Sequence, residues 1–92
     1  MTAPEIAAKL SDNSTAVLSY LFPTGRREGR EYCVGSLNGE KGRSLKINLN
    51  GKGFVWKDFA AGESGSDLLD LWAAARTGGN VGDAMKEASD WL

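Results

Sequence analysis

Seven basic side chains, Arg26, Arg27, Arg30, Lys41, Arg43, Lys46 and Lys57, fall in one stretch of the 92-residue chain that also carries Tyr32, Phe54 and Trp56. Cations that follow a phosphate backbone, with aromatic rings on which bases stack, are what a binder of single-stranded nucleic acid needs. The cations have to stay at the surface, because charged groups are not buried unpaired. The rings have a second use. Phe54 and Trp56 also suit a core, facing Trp72 beneath a sheet, and the sequence leaves open which of them meets solvent.

Net charge is −1, but it is unevenly divided. Residues 26–57 hold eight basic groups, Lys52 included, against three acids, a local +5. Residues 58–92 hold two basic groups against seven acids, a local −5, and residues 1–25 contribute −1. A basic segment is thus joined to an acidic one. Two solvated surfaces of opposite sign would account for this equally well. The acidic side offers an alternative contact set, Asp67, Asp70, Asp83 and Glu87, for a basic protein partner.

Catalytic chemistry has little to draw on. The chain has no histidine, which removes Ser-His and Cys-His nucleophile pairs, and a single cysteine, far short of a structural zinc site. Cys33 reads as a small buried hydrophobe in a strand. Glu63, Asp67 and Asp70 could hold Mg²⁺, yet Asp67 and Asp70 are better explained by a helix N-terminus. The run Gly62-Glu63-Ser64-Gly65-Ser66 lacks the lysine of a phosphate-binding P-loop. No catalytic residue, metal ligand or cofactor is expected, and the protein reads as a binder and not an enzyme.

Apolar content of 41% and charged content of 25% are those of an ordinary globular domain. No apolar run reaches the ~18 residues of a membrane span. The N-terminus lacks a basic-then-apolar leader pattern, which points to a cytoplasmic location. One domain over residues 1–92 is expected, with a helical segment at 1–25, a β-meander at 30–60 and a helical pair at 66–92.

The elements that must position the basic residues follow from local pattern. Thr2 and Glu5 have the spacing of a capping box, and Ile6, Ala7 and Leu10 share one face of a helix over 3–10. Ser11-Asp12-Asn13-Ser14 interrupts it, and a second helix over 15–22 ends at Pro23. Residues 24–30 read as a polar, basic linker. Leu45, Ile47 and Leu49 alternate with Lys46 and Asn48, the period of a half-buried strand. Asn38-Gly39 and Asn50-Gly51 have the composition of type I′ hairpin turns. Three antiparallel strands result. After a small-residue loop at 60–65, Ser66 is positioned to cap a helix over 67–77 that presents Leu68, Leu69, Leu71, Trp72 and Ala75. Gly78-Gly79 stops it, and Asn80 caps a last helix with Val81, Ala84, Met85, Ala88 and Trp91 on one stripe. The expected class is α+β: a three-stranded meander packed by two N-terminal and two C-terminal helices.

Several of these runs carry a resemblance. Arg27-Glu28-Gly29-Arg30-Glu31-Tyr32, Gly42-Arg43-Ser44-Leu45-Lys46-Ile47, Gly53-Phe54-Val55-Trp56-Lys57-Asp58-Phe59-Ala60 and Gly65-Ser66-Asp67-Leu68-Leu69-Asp70-Leu71-Trp72 resemble the N-terminal zinc-finger domain of phage and mobile-element primase-helicases. The resemblance implies a zinc ribbon that engages single-stranded template ahead of a separate polymerase domain, for which 92 residues leave no room. Cys33 matches the first zinc cysteine, Ser36 stands where a second ligand would be, and Trp56 and Phe59 have the spacing of the other pair. The zinc is therefore expected to be lost, with Trp56, Phe59 and the tryptophan-bearing helices replacing it by hydrophobic packing.

Two functions from different classes follow. One is a metal-free module that binds single-stranded DNA or RNA through the basic sheet. The other is a small phage-borne inhibitor of a host nucleoprotein complex, the class that includes anti-CRISPR proteins, acting through the acidic helices or on the partner's bound nucleic acid.

Overall fold

The computed structural model describes residues 1–49 and 54–92. The Thr2 hydroxyl accepts the Glu5 N–H at 3.3 Å while the Glu5 carboxylate accepts the Thr2 N–H at 3.1 Å, so a reciprocal cap starts α1 (Ala3–Asp12). The second helix, α2 (Ser14–Leu21), ends two residues before Pro23. The third, α3 (Leu68–Arg76), is capped by Asp67 and not by Ser66. Asp67 accepts the Asp70 N–H at 2.8 Å, and the Asp70 carboxylate reaches back to the Ser66 N–H at 3.2 Å. A carboxylate serves the positive end of the helix better than a hydroxyl does. Gly78 and Gly79 then take positive φ, as expected, and Asn80 caps α4 (Val81–Trp91) through the Asp83 N–H at 2.9 Å.

The α+β class holds, but the sheet has five strands and not three. They are β1 (Arg26–Glu28), β2 (Glu31–Val34), β3 (Leu45–Asn48), β4 (Trp56–Asp58) and β5 (Ser64–Gly65), antiparallel and in that spatial order. The supposed linker is β1. It folds back on β2 through Gly29-Arg30, with positive φ at Gly29 only, as a type II′ turn requires. Arg-Arg-Glu lacks apolar alternation because β1 is an edge strand, where charge protects against unwanted pairing.

At the other edge, Asp58 builds the turn into β5. This residue is 1% exposed, its Oδ1 accepts the N–H groups of Ala60 and Ala61 at 2.9 and 3.0 Å, and its own N–H donates to the Glu63 carbonyl at 2.7 Å. The expected type I′ turn at Asn38-Gly39 does not form. Only Gly39 of the pair has positive φ, and the chain closes a four-residue turn by Gly39 N–H to the Ser36 carbonyl at 3.0 Å. The Asn50-Gly51 turn lies outside the described residues.

Residues directly opposite in an antiparallel ladder share a face. The register Tyr32–Ile47–Trp56–Gly65, with Val34–Leu45–Asp58 beside it, defines the inner face. Val34, Leu45 and Ile47 are fully buried there with Ile6, Leu10, Val17, Leu18 and Phe22 from the N-terminal segment and Leu68, Leu71 and Trp72 from α3. The Cα radius of gyration, 11.8 Å, matches the ~12 Å of one compact domain of this length. No described helix is long and apolar enough to cross a membrane.

The tryptophans divide the packing. Trp56 lies across Gly65, whose Cα is so close that an added Cβ would meet the ring at 2.5 Å, and its indole N–H donates to the Asp67 carbonyl at 3.2 Å. That ring ties the sheet to the start of α3. Trp72, in the same core as Leu45 and Ile47, also meets two aromatic rings on helices: Tyr20 stacks on it at 5.5 Å and Trp91 meets it edge-on at 5.7 Å. Its indole N–H donates to Glu87 on α4 at 3.0 Å, and Arg76 donates to the same carboxylate.

Those donors, Arg76 foremost, hold Glu87 below the usual carboxylate range, against a smaller opposing effect of burial. A carboxyl whose folded pKa is depressed contributes stability that is complete above its unfolded value, ~4.3, and is lost as pH falls through the folded one. Glu87→Gln is therefore expected to lower the melting temperature at neutral pH and to narrow the gap to the parent as pH drops below ~4. A gap that stays constant across that range would contradict the assignment.

Candidate nucleic-acid interface

The outer face of the sheet is read from the same ladders. Arg26, Cys33, Lys46, Lys57 and Ser64 form one row across all five strands, and Glu28, Glu31 and Asn48 form the next. Two further backbone bonds extend the β3–β4 ladder in register: Asn48 N–H to the Val55 carbonyl at 2.9 Å and Phe59 N–H to the Ser44 carbonyl at 2.7 Å. Val55, Lys57 and Phe59 therefore follow one another along the outer side of β4. Phe59 is 63% exposed and Val55 52%.

Lys46 and Lys57 stand directly opposite each other, an arrangement that is unfavourable for the fold alone. Each is only loosely compensated. Lys46 Nζ is 3.8 Å from Glu31, and Lys57 Nζ sits 5.2 Å from the centre of the Phe59 ring. Arg43, on the loop before β3, pairs with Glu28 at 2.7 Å. Arg43, Ser44, Lys46 and Phe59 line a shallow depression of about 530 Å³. Beside it, Thr24, Arg26, Glu28, Lys41, Gly42 and Arg43 line a narrower cleft of about 290 Å³.

Of the residues expected to bind nucleic acid, Arg26, Lys41, Arg43, Lys46 and Lys57 gather on this outer side. Arg30 lies at the tip of the β1–β2 hairpin. Arg27 is opposite Tyr32 on the other face and lines a small hollow of about 120 Å³ with residues of α2. The three aromatics named from sequence do not stand free in solvent as stacking platforms. Trp56 is 3% exposed, with its ring against Gly65. Tyr32 is half-buried over Gly25 and its hydroxyl donates to the Phe22 carbonyl at 2.6 Å, burial pushing its pKa up. Phe54 is also half-buried and packs on the core.

Phe59 is the residue the sequence reading misplaced. It was expected to pack where a metal had been, and it is instead exposed. Strict alternation from a buried Trp56 would have found it, since positions 55, 57 and 59 must then point outward. The same register sets Cys33 and Trp56 on opposite faces, so the four positions matched to zinc ligands do not converge. Among the described residues no three His, Cys, Asp or Glu side chains gather to hold a metal. Cys33 is 2% exposed between Arg26 and Lys46, and desolvation raises its thiol pKa, away from a reactive thiolate.

The acidic set is mostly engaged internally. Asp67 and Asp70 cap α3, and Glu87 receives Trp72 and Arg76. Asp83 is exposed at the start of α4.

No protein-family model matches the chain, and no curated protein or solved structure matches it either.

Proposed function

We propose that the outer sheet face binds single-stranded nucleic acid, without a metal, as a module of the kind the primase zinc-finger resemblance implies. The observation that carries the reading is Lys46 held opposite Lys57 beside an exposed aromatic ring. A pair of like charges costs the fold free energy, and an anion lying between them relieves that cost. A phosphodiester backbone supplies such anions in series, and the base attached to it meets the nearest exposed ring, Phe59. Val55 extends the apolar strip. The protein-directed alternative, inhibition of a host nucleoprotein complex through the acidic helices, has less to use, because Asp67, Asp70 and Glu87 already serve the fold.

Base–aromatic stacking is worth about 1–3 kcal/mol per base and tolerates any base, since each has a π-face. Phe59→Ala is therefore expected to weaken binding of short single-stranded oligonucleotides by roughly 5–150-fold, with little dependence on sequence and no change in salt slope. The thermal melt should stay put, because the ring is largely exposed. Fluorescence anisotropy with homopolymeric DNA and RNA reads this directly, and an unchanged affinity would remove Phe59 from the site.

A further inference from the structure

The narrow cleft next to the depression has a different character. Arg26 enters from the β1 edge, Lys41 and Arg43 from the loop between β2 and β3, and Glu28, the one carboxylate lining it, is already held by Arg43. Among the described residues neither Arg26 nor Lys41 has an ion-pair partner. The loop that carries Lys41 is fixed from several sides. Gly35 N–H donates to the Glu40 carbonyl at 2.7 Å, the Ser36 hydroxyl donates to the Glu40 carboxylate at 2.8 Å, and Thr24 donates to the Gly39 carbonyl. Gly35 and Gly42 touch backbone to backbone, so that a Cβ on Gly42 would meet the Gly35 Cα at 2.8 Å. A cationic cleft with a pinned wall is a poor place for a flexible stretch of strand. It is a good place for one compact anion.

We infer that this cleft takes the terminal phosphate monoester of a nucleic-acid strand whose adjoining nucleotides lie in the depression over Phe59. The inference rests on the strand-binding reading above. Arg43 lines both hollows, so the two lie side by side. A monoester carries about −1.5 to −2 at neutral pH, against −1 for each internal phosphodiester, and offers three acceptor oxygens to the surrounding donors. Arginine is suited to that geometry through paired N–H donors.

The test uses one short DNA sequence in three forms, 5′-phosphorylated, 3′-phosphorylated and unphosphorylated, titrated into the full chain at moderate salt. One phosphorylated form is expected to bind about tenfold more tightly than the unphosphorylated one, a difference of ~1.4 kcal/mol. Millimolar inorganic phosphate should abolish that preference. Lys41→Ala should bring the ratio close to one, and so should Arg26→Ala; both side chains are exposed, so the fold is not at stake. Equal binding of all three forms would overturn the cleft assignment and leave the strand-binding reading standing. Binding of a phosphoserine peptide, with no binding of any oligonucleotide, would overturn both.

Discussion

Trp72→Ala is expected to cost roughly 3–5 kcal/mol, the range for truncating a fully buried large side chain. The ring is 0% exposed, stacked on Tyr20 and edge-on to Trp91, and its N–H satisfies Glu87. Truncation would leave a cavity between α2, α3 and α4 and would also deprive the Glu87 carboxylate of one donor. Small domains hold about 5–15 kcal/mol in all, so the loss is a large share of the total. At about 4–8 °C per kcal/mol the melting temperature should fall by roughly 12–40 °C. Trp72→Phe separates the contributions: it keeps most of the packing, loses the indole donor, and should sit between parent and alanine variant. An alanine variant that melts like the parent would mean that the tryptophan does not hold the helical layer together.

Replacing Arg43, Lys46 and Lys57 together by alanine is expected to weaken single-strand binding about 100-fold near 0.1 M salt. Each cation that neutralises a phosphate contributes about 0.7 log units per decade of salt, so three contacts accumulate roughly two log units between ~1 M and ~0.1 M. The loss should be the same for every base composition, because a backbone contact carries no sequence information. Stability should change little. The pairs given up, Arg43 with Glu28 and Lys46 with Glu31, are solvent-exposed or half-exposed and such pairs contribute about 0–1 kcal/mol. Removing Lys46 and Lys57 also relieves a like-charge contact, which offsets part of that. A variant that loses binding only for particular bases would place recognition elsewhere than in these charges.

The helices were legible in the sequence because their signals are local. Thr2 with Glu5, Asn80 with Asp83 and Gly78-Gly79 each act within a few residues, and all three appear where their chemistry predicts. The central strand was legible for the same reason, since Leu45 and Ile47 alternate with Lys46 and both are fully buried. The edges were not. Arg26–Glu28 becomes a strand only because Glu-Gly-Arg-Glu closes a tight hairpin onto a partner, and Ser64–Gly65 only because Asp58 gathers the N–H groups of the intervening turn. Neither relation has a hydrophobic period. The cationic side of the site could be read from composition, because charge must stay at the surface. Its candidate aromatic member needed one fact more, because Trp56 and Phe59 are equally apolar on paper and alternation turns Phe59 outward only once Trp56 is known to be buried. What separates them is a three-dimensional fact: Gly65 leaves room for the Trp56 ring beneath the sheet, while Lys57 of β4 and its flanking residues Val55 and Phe59 face out.

The central claim is that the outer sheet face holds a single strand through its phosphates. Titration of labelled single-stranded DNA and RNA into the parent protein, from ~10 mM salt upward, tests it most directly. Saturable binding at low salt is expected, with log affinity falling linearly against log salt at a slope of about −2 for three contacts, and with similar affinities across homopolymers. Absence of binding at ~10 mM salt, where screening is weakest, would contradict the account and turn attention to a protein partner.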